Sequence, residues 1–199
     1  HTGPDAREAR SEPFYRAPGV PEPDVNLGVG SGSHGAQTAQ VLMKIERLLI
    51  ERSPHGVLVV GDVNSTLAAT LAAVKLHIPV AHVEAGLRSF DRAMPEEINR
   101  VLTDAISDML FVTEKSGCQN LRNEGVAEER IFLVGNVMID TLLKNKAKAD
   151  AATILDEMGL KAGEYAAMTL HRPANVDDAV VLARLLDAID VVQADMPVV

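Results

Sequence analysis

The chain has 199 residues, 47% hydrophobic and 24% charged, with a formal net charge of -9, the composition of a globular protein with a sizeable core in one large or two small domains. The acidic balance repels a phosphate backbone and argues against nucleic-acid binding; no apolar run approaches the ~20 residues of a membrane span, and no basic segment with a small-residue cleavage site opens the chain. A lone Cys118 excludes an internal disulfide, and without a Cys/His cluster there is no zinc site of familiar spacing, so the expectation is a cytoplasmic protein with no metal and no membrane partner.

Residues 1–35 are rich in Pro and Gly and read as loop, ending in GVGSGSHG, a connector whose spacing matches no phosphate-binding fingerprint. From Gln37 to Arg52, Val41, Leu42, Ile45, Leu48 and Leu49 recur at helical spacing and predict one buried face. The stretch Gly56 to Arg100 organises the rest. A strand Val57 to Val60 ends at Gly61-Asp62, a helix capped by Asn64 or Ser65 runs to Lys75, and a second strand, Ile78 to Val83, ends at Glu84. In such a βαβ unit each strand delivers a carboxylate at its C-terminal end, the edge where open parallel sheets bind ligands.

Pro95 is a favoured first helical residue, with Glu96 and Glu97 in the first turn, where the helix dipole suits them. The helix pattern predicts an apolar face of Ile98, Val101, Leu102, Ala105 and Ile106 and an opposite polar face of Glu96, Asn99, Arg100 and Thr103. A strand at 108–112, a helix at 116–124 stopped by Gly125, and a strand Ile131 to Val134 follow. The alternation predicts an α/β fold: a Rossmann-like parallel sheet with helices on both faces.

A helical stretch, Asp140 to Met158, marks a domain boundary, giving 1–138 as a first Rossmann-like domain and 139–199 as a linker helix and the start of a second. A strand Tyr165 to Leu170 ends at His171-Arg172, a helix capped by Asp177 or Asp178 runs to about Ala194, and Pro197 to Val199 opens another strand. With no initiator Met and an ending on a strand, the expectation is a piece of a longer protein, lacking the first strand and most of the second domain.

Four stretches, GDVNSTLA (61–68), HVEAGLRSFDRAMPEEINR (82–100), VGNVMID (134–140) and LHRPANVD (170–177), closely resemble the non-hydrolysing UDP-N-acetylglucosamine 2-epimerases, in the family's order. The resemblance implies a glycosyltransferase-B-like architecture of two Rossmann-like domains with the active site in the cleft, a homodimer when full length, and no cofactor. It also implies interconversion of UDP-GlcNAc and UDP-ManNAc for cell-surface polysaccharide precursors, by elimination of UDP to 2-acetamidoglucal and re-addition on the other face. Such a route needs positioned acid/base groups and cationic help for the departing diphosphate. Asp62, Glu84, Glu96, Arg100 and His171 match the family's catalytic residues. Asp62, Glu84, Arg100, His171 and Arg172 match its substrate contacts, His171 near the diphosphate. Which carboxylate is base and which acid is left open.

Each residue also has a plainer reading. Asp62 could cap a helix, and Glu96 with Arg100 could form a surface pair of roughly 0.3 to 0.5 kcal/mol; convergence of all five at one edge favours function. The sequence departs from the family pattern in Thr2-Gly3-Pro4-Asp5, where T-G-Q-H is usual, and at Ala174, where Glu is common. Two alternatives stand beside the leading one: a hydrolysing relative releasing UDP and ManNAc, and a catalytically silent sugar-nucleotide-binding domain.

Overall fold

The structure, a computed structural model, describes His1 and residues 22–199; the expectations placed on residues 2–21, Pro4 and Asp5 among them, lie outside these. The chain divides into two compact units, His1–Ile139 and Asp140–Val199.

Among the described residues, the elements of the first unit begin with α1 (His34–Arg52), which starts three residues before the predicted Gln37 because the Ser33 hydroxyl caps it, accepting from the Ala36 N–H. Four strands follow: β1 (Val57–Val60), β2 (Val80–Ala85), β3 (Met109–Val112) and β4 (Ile131–Leu133), joined by α2 (Asn64–Lys75), α3 (Pro95–Ile106) and α4 (Lys115–Asn123). All pairings are parallel and the order is β1-β2-β3-β4, the α/β architecture expected from the alternation of short Val-rich runs with helical segments.

Registration sets one row of side chains, Val59, His82, Leu110 and Ile131, across the sheet. Val59 packs with Leu49 of α1 and with Ala72 and Ala73 of α2; Leu110 packs with Cys118 and Leu121 of α4. Ala68, Ala72 and Ala73 of α2 are fully buried, and their lack of side-chain bulk lets the helix lie close to the strands. Full burial of a leucine such as Leu110 or Leu121 stabilises by about 1.5–3 kcal/mol. The adjacent row carries Val60 and Phe132, which are exposed, as are Leu58 and Met109.

Four local expectations are corrected. The cap of α2 is Val63, not Asn64 or Ser65: the Thr66 hydroxyl turns back to the Val60 carbonyl (2.9 Å), and the Asn64 side chain is used in tertiary bonds, donating to Gln37 Oε1 (2.8 Å). The second strand runs Val80–Ala85 rather than Ile78 to Val83, because Ile78 is held in the turn by a bond to the Ala73 carbonyl and a bulge at Glu84 lets Ala85 pair with Val112. The stretch from Asp140 to Met158 is not one helix but α5 (Val137–Asp150) and α6 (Ile154–Glu157), separated by a turn. Tyr165 to Leu170 forms only a single parallel bridge, Ala166 with Val198, and not a strand.

The second unit also contains α7 (Pro173–Val176) and α8 (Ala179–Gln193). As expected, Asp178 caps α8, accepting from the N–H groups of Val180 (2.8 Å) and Val181 (3.1 Å).

One close approach fixes how the loop after β2 meets α4. Gly86 has φ +79, and a Cβ there would lie 2.4 Å from the Gly117 carbonyl oxygen. Asn120 Nδ2 donates to the Gly86 carbonyl (2.9 Å) across the same contact. Gly86→Ala therefore combines a left-handed backbone penalty of about 1–2 kcal/mol with a backbone clash. The expected outcome is a melting temperature lower by at least about 4 °C, measured by calorimetry; an unchanged value would show that the loop and α4 separate without cost.

Candidate functional site

The C-terminal ends of β1 and β2 carry the first two predicted site residues. Asp62 follows Gly61 (φ +72), whose N–H donates to the Val83 carbonyl (3.1 Å) and so keeps the turn against β2. Glu84 sits at the bulge with φ +72, a left-handed conformation unusual for a residue with a side chain. Its carboxylate leans toward Gly61, where a Cβ would lie 3.7 Å from Glu84 Oε2. Strain of this kind is found where a side chain must be aimed.

Arg100 of α3 joins this edge. Its Nη2 pairs with Asp62 Oδ2 and its Nη1 donates to Glu97 Oε2 at 2.9 Å. Asn99 Nδ2 donates to the Asp62 carbonyl (2.9 Å), so two adjacent residues of α3 hold both the side chain and the backbone of Asp62. Asp62, Glu84 and Arg100 are thus gathered in the first unit. Glu96, in the first turn of the same helix, is half-buried, but the surface pair with Arg100 is not formed: Arg100 takes Glu97 instead. Among the described residues, neither the Glu84 nor the Glu96 carboxylate has a hydrogen-bond or ion-pair partner. His171 and Arg172 lie in the second unit, exposed, immediately before α7.

The helix that supplies Arg100 is turned the other way from its apolar pattern. Glu97 is 3% exposed and Asn99, Thr103 and Asp104 are buried, whereas Val101 is 37% and Leu102 46% exposed. Ile98, Val101 and Leu102 of the expected apolar face, with Phe90, instead line an open cavity of about 340 Å³. The polar residues go inward because each has partners there, Thr103 Oγ1 excepted.

Glu97 is the residue that sequence reading passed over in favour of its neighbour. Its Oε2 accepts from the Ser89 N–H (2.8 Å) and hydroxyl (2.9 Å), its Oε1 from the Phe90 N–H (3.1 Å). It therefore pins the loop after β2 onto α3 while orienting Arg100. Burial pushes the Glu97 carboxyl up, but the bonds from Ser89 and Phe90 and the Arg100 charge outweigh it and hold the group below its ordinary value.

Deeper still, Asp104 binds three donors. Oδ1 contacts His82 Nδ1 (2.6 Å), while Oδ2 accepts from the Gly86 N–H (2.9 Å) and Arg88 Nη1 (2.8 Å). Arg88 continues to Glu124 through two bonds of 2.7 and 2.6 Å. Burial pulls the Arg88 guanidinium down, but Glu124 and Asp104 outweigh this and hold it above its ordinary value, so it stays charged. Arg88 therefore ties Asp104 to Glu124. Among the described residues no three His, Cys, Asp or Glu side chains are grouped to hold a metal ion.

A carboxylate whose folded pKa is depressed contributes stability that is present above its unfolded pKa and lost as pH falls through the folded one. Glu97→Gln is accordingly expected to destabilise the protein at pH 7 by about 1–3 kcal/mol. The gap to wild type should narrow as pH drops below the ordinary carboxylate value of about 4.3. Denaturant melts of both proteins from pH 7 downward measure it; a constant gap would contradict the assignment.

Known proteins share this arrangement of sequence and fold. The family profile described as UDP-N-acetylglucosamine 2-epimerase matches residues 1–199. A UDP-2,3-diacetamido-2,3-dideoxy-D-glucuronate 2-epimerase of Pseudomonas aeruginosa is 44% identical over 203 residues, covering 100% of this chain and 56% of that protein. A UDP-N-acetylglucosamine 2-epimerase of Methanococcus maripaludis is 43% identical over 194 residues, covering 96% of this chain and 53% of the other. The crystal structure of Methanocaldococcus jannaschii UDP-GlcNAc 2-epimerase in complex with UDP-GlcNAc and UDP matches with a TM-score of 0.85 at 43% identity, over 94% of this chain and 52% of that one. The chain spans about half the length of the curated relatives it matches. With a profile match that runs along its whole length and the same fold at this level of identity, the chain belongs to the UDP-N-acetylglucosamine 2-epimerase family.

Proposed function

We propose that the protein to which this chain belongs is a UDP-N-acetylglucosamine 2-epimerase, interconverting UDP-GlcNAc and UDP-ManNAc. The observation that carries the reading is Glu84: a carboxylate without a partner among the described residues, held at φ +72 on a bulge beside the Asp62–Arg100 pair at the C-terminal edge of the sheet. A carboxylate kept unpaired at a strained position is available to exchange protons.

In this reading a site carboxylate takes the proton from C2 of the sugar. The C1–O bond to the diphosphate breaks with the electron pair leaving on UDP, and 2-acetamidoglucal remains. Re-addition reverses both events with the proton delivered to the opposite face of C2, so no net redox change occurs. Glu84 and Glu96 are assigned to proton exchange, and Asp62, locked to Arg100, to orienting the sugar. Arg100, His171 and Arg172 are assigned to binding the substrate, with His171 and Arg172 on the departing diphosphate, whose developing charge needs cationic donors. The whole protein is assigned to the cytoplasm as a homodimer that supplies cell-surface polysaccharide precursors; no described helix is long and apolar enough to cross a membrane.

A second reading follows from the Pseudomonas relative, whose match covers the entire chain: the same C2 chemistry on a UDP-2,3-diacetamido-glucuronate. Offering both sugar nucleotides to the full-length protein in deuterated water separates the two. Deuterium is expected at C2 of UDP-GlcNAc; its appearance only in the diacetamido sugar would move the assignment there, and label in neither would reject epimerisation. Release of free UDP in step with turnover would instead indicate a hydrolysing enzyme.

Glu84→Gln keeps the shape of the side chain but removes its acid/base function. Turnover of the full-length protein should fall about 10²-fold or more with the melting temperature retained. Near-wild-type turnover would remove Glu84 from the proton-transfer set.

A further inference from the structure

His82 lies two residues before Glu84 and is 0% exposed, and its ring bridges segments that the sheet alone does not tie together. Nε2 stands 2.8 Å from the Gly61 carbonyl oxygen and Nδ1 2.6 Å from Asp104 Oδ1. A carbonyl oxygen and an ionised carboxylate both only accept, so both ring nitrogens carry a hydrogen, Nε2 donating to Gly61 and Nδ1 to Asp104. On the far side, Asp104 holds the Gly86 N–H and Arg88. One imidazole thereby connects the β1–α2 turn bearing Asp62, the loop that leaves Glu84, and the helix bearing Glu96 and Arg100.

The Gly61 bond is the informative one. The Gly61 N–H is already taken by the Val83 carbonyl (3.1 Å), and its φ of +72 is set by the turn. What remains to be fixed is the next peptide plane, the Gly61 carbonyl with the Asp62 N–H, and His82 Nε2 grips that plane by its oxygen. A rotation there would swing Asp62 relative to Glu84.

We propose that His82 is a positioning residue for epimerisation: its Nε2–H bond to the Gly61 carbonyl sets the placement of the Asp62 carboxylate against Glu84. The inference rests on the function proposed above, with His82 touching neither substrate nor reacting atoms.

Two substitutions divide the ring's contacts. In His82→Asn the amide nitrogen overlays Nδ1 and keeps the donor to Asp104 but cannot reach Gly61. In His82→Gln it overlays Nε2 and keeps the Gly61 bond but gives up Asp104. Both lose ring volume, so both should lower the melting temperature. If positioning is the role, His82→Asn should lose about 10²-fold in kcat with KM within about 3-fold, whereas His82→Gln should lose less than about 10-fold. Amide hydrogen exchange at residues 61–63 should be faster in His82→Asn than in His82→Gln. Equal kcat losses in the two variants, or equal exchange at 61–63, would overturn the proposal.

Wild-type protein assayed alongside for C2 deuterium keeps the two claims apart. If wild type gives no label, the functional reading fails, and the amide exchange comparison still decides whether His82 holds the Gly61–Asp62 turn. Should neither variant fold, the nitrogen-15 spectrum of the wild-type rings serves instead: His82 with a protonated, solvent-protected Nε2 supports the geometry, and an unprotonated Nε2 overturns it.

Discussion

Asp104 is fully buried on α3, and its carboxylate receives an N–H from Gly86, a guanidinium from Arg88 and a ring nitrogen from His82. Removing a single partner from such a group costs about 3–5 kcal/mol, because the charge is left in a medium that cannot solvate it. These donors come from β2 and from the loop that follows it, so α3 can dock in only one rotational setting, with Asp104 inward. That setting also brings Glu97, Asn99 and Arg100 to the sheet edge and leaves Val101 and Leu102 partly in water. Full burial of those two side chains would contribute about 1.5–3 kcal/mol each, and they keep part of it. The ionic requirement outweighs the apolar one, and the helix presents its polar side to the site.

This is also why some of the molecule could be read in advance and some could not. The strands β1, β3 and β4 and the helices between them are bounded by punctuation that acts locally: Gly61-Asp62 after a Val run, Pro95 at a helix start, Gly125 after a helix end. The second strand was legible as an element but not in its bounds, since the bulge at Glu84 depends on pairing with β3. The orientation of α3 was illegible because a hydrophobic pattern ranks residues by transfer free energy alone and is blind to partners such as those of Asp104, 16 to 22 residues away in sequence. Glu96 and Glu97 carry the same local signals, and about 100° of helix rotation separates them. Only the donors of Ser89 and Phe90, in a loop with no periodicity, decide which of the two is enclosed. Asp62 and Glu84 stand out in sequence because each ends a strand, whereas Arg100, in the second turn of its helix, is singled out only by the family resemblance. His82 was passed over as one more residue of a buried strand.

The charges at the sheet edge are unequally committed. Asp62 and Glu97 share Arg100, and Asp104 and Glu124 share Arg88, two acid–base–acid ladders that stiffen the loop from 86 to 94 and the turn at 61–63. Glu84 and Glu96 belong to neither ladder. In the function proposed above a proton moves onto and off the same carbon, and that reading uses both kinds of carboxylate: those whose charge is consumed in holding geometry, and those whose charge remains available.

The backbone at Glu84 carries one more implication, for how the chain tolerates change. A side chain at φ +72 costs about 1 kcal/mol or more that glycine would not incur. Any pressure acting on thermal stability alone, whether in a laboratory selection or in a design calculation, would push position 84 toward glycine and be rewarded for it. Variants enriched purely for heat resistance would therefore shed this carboxylate early, and their gain in melting temperature would come with the loss of the one group whose unfavourable conformation aims it at the open edge of the sheet.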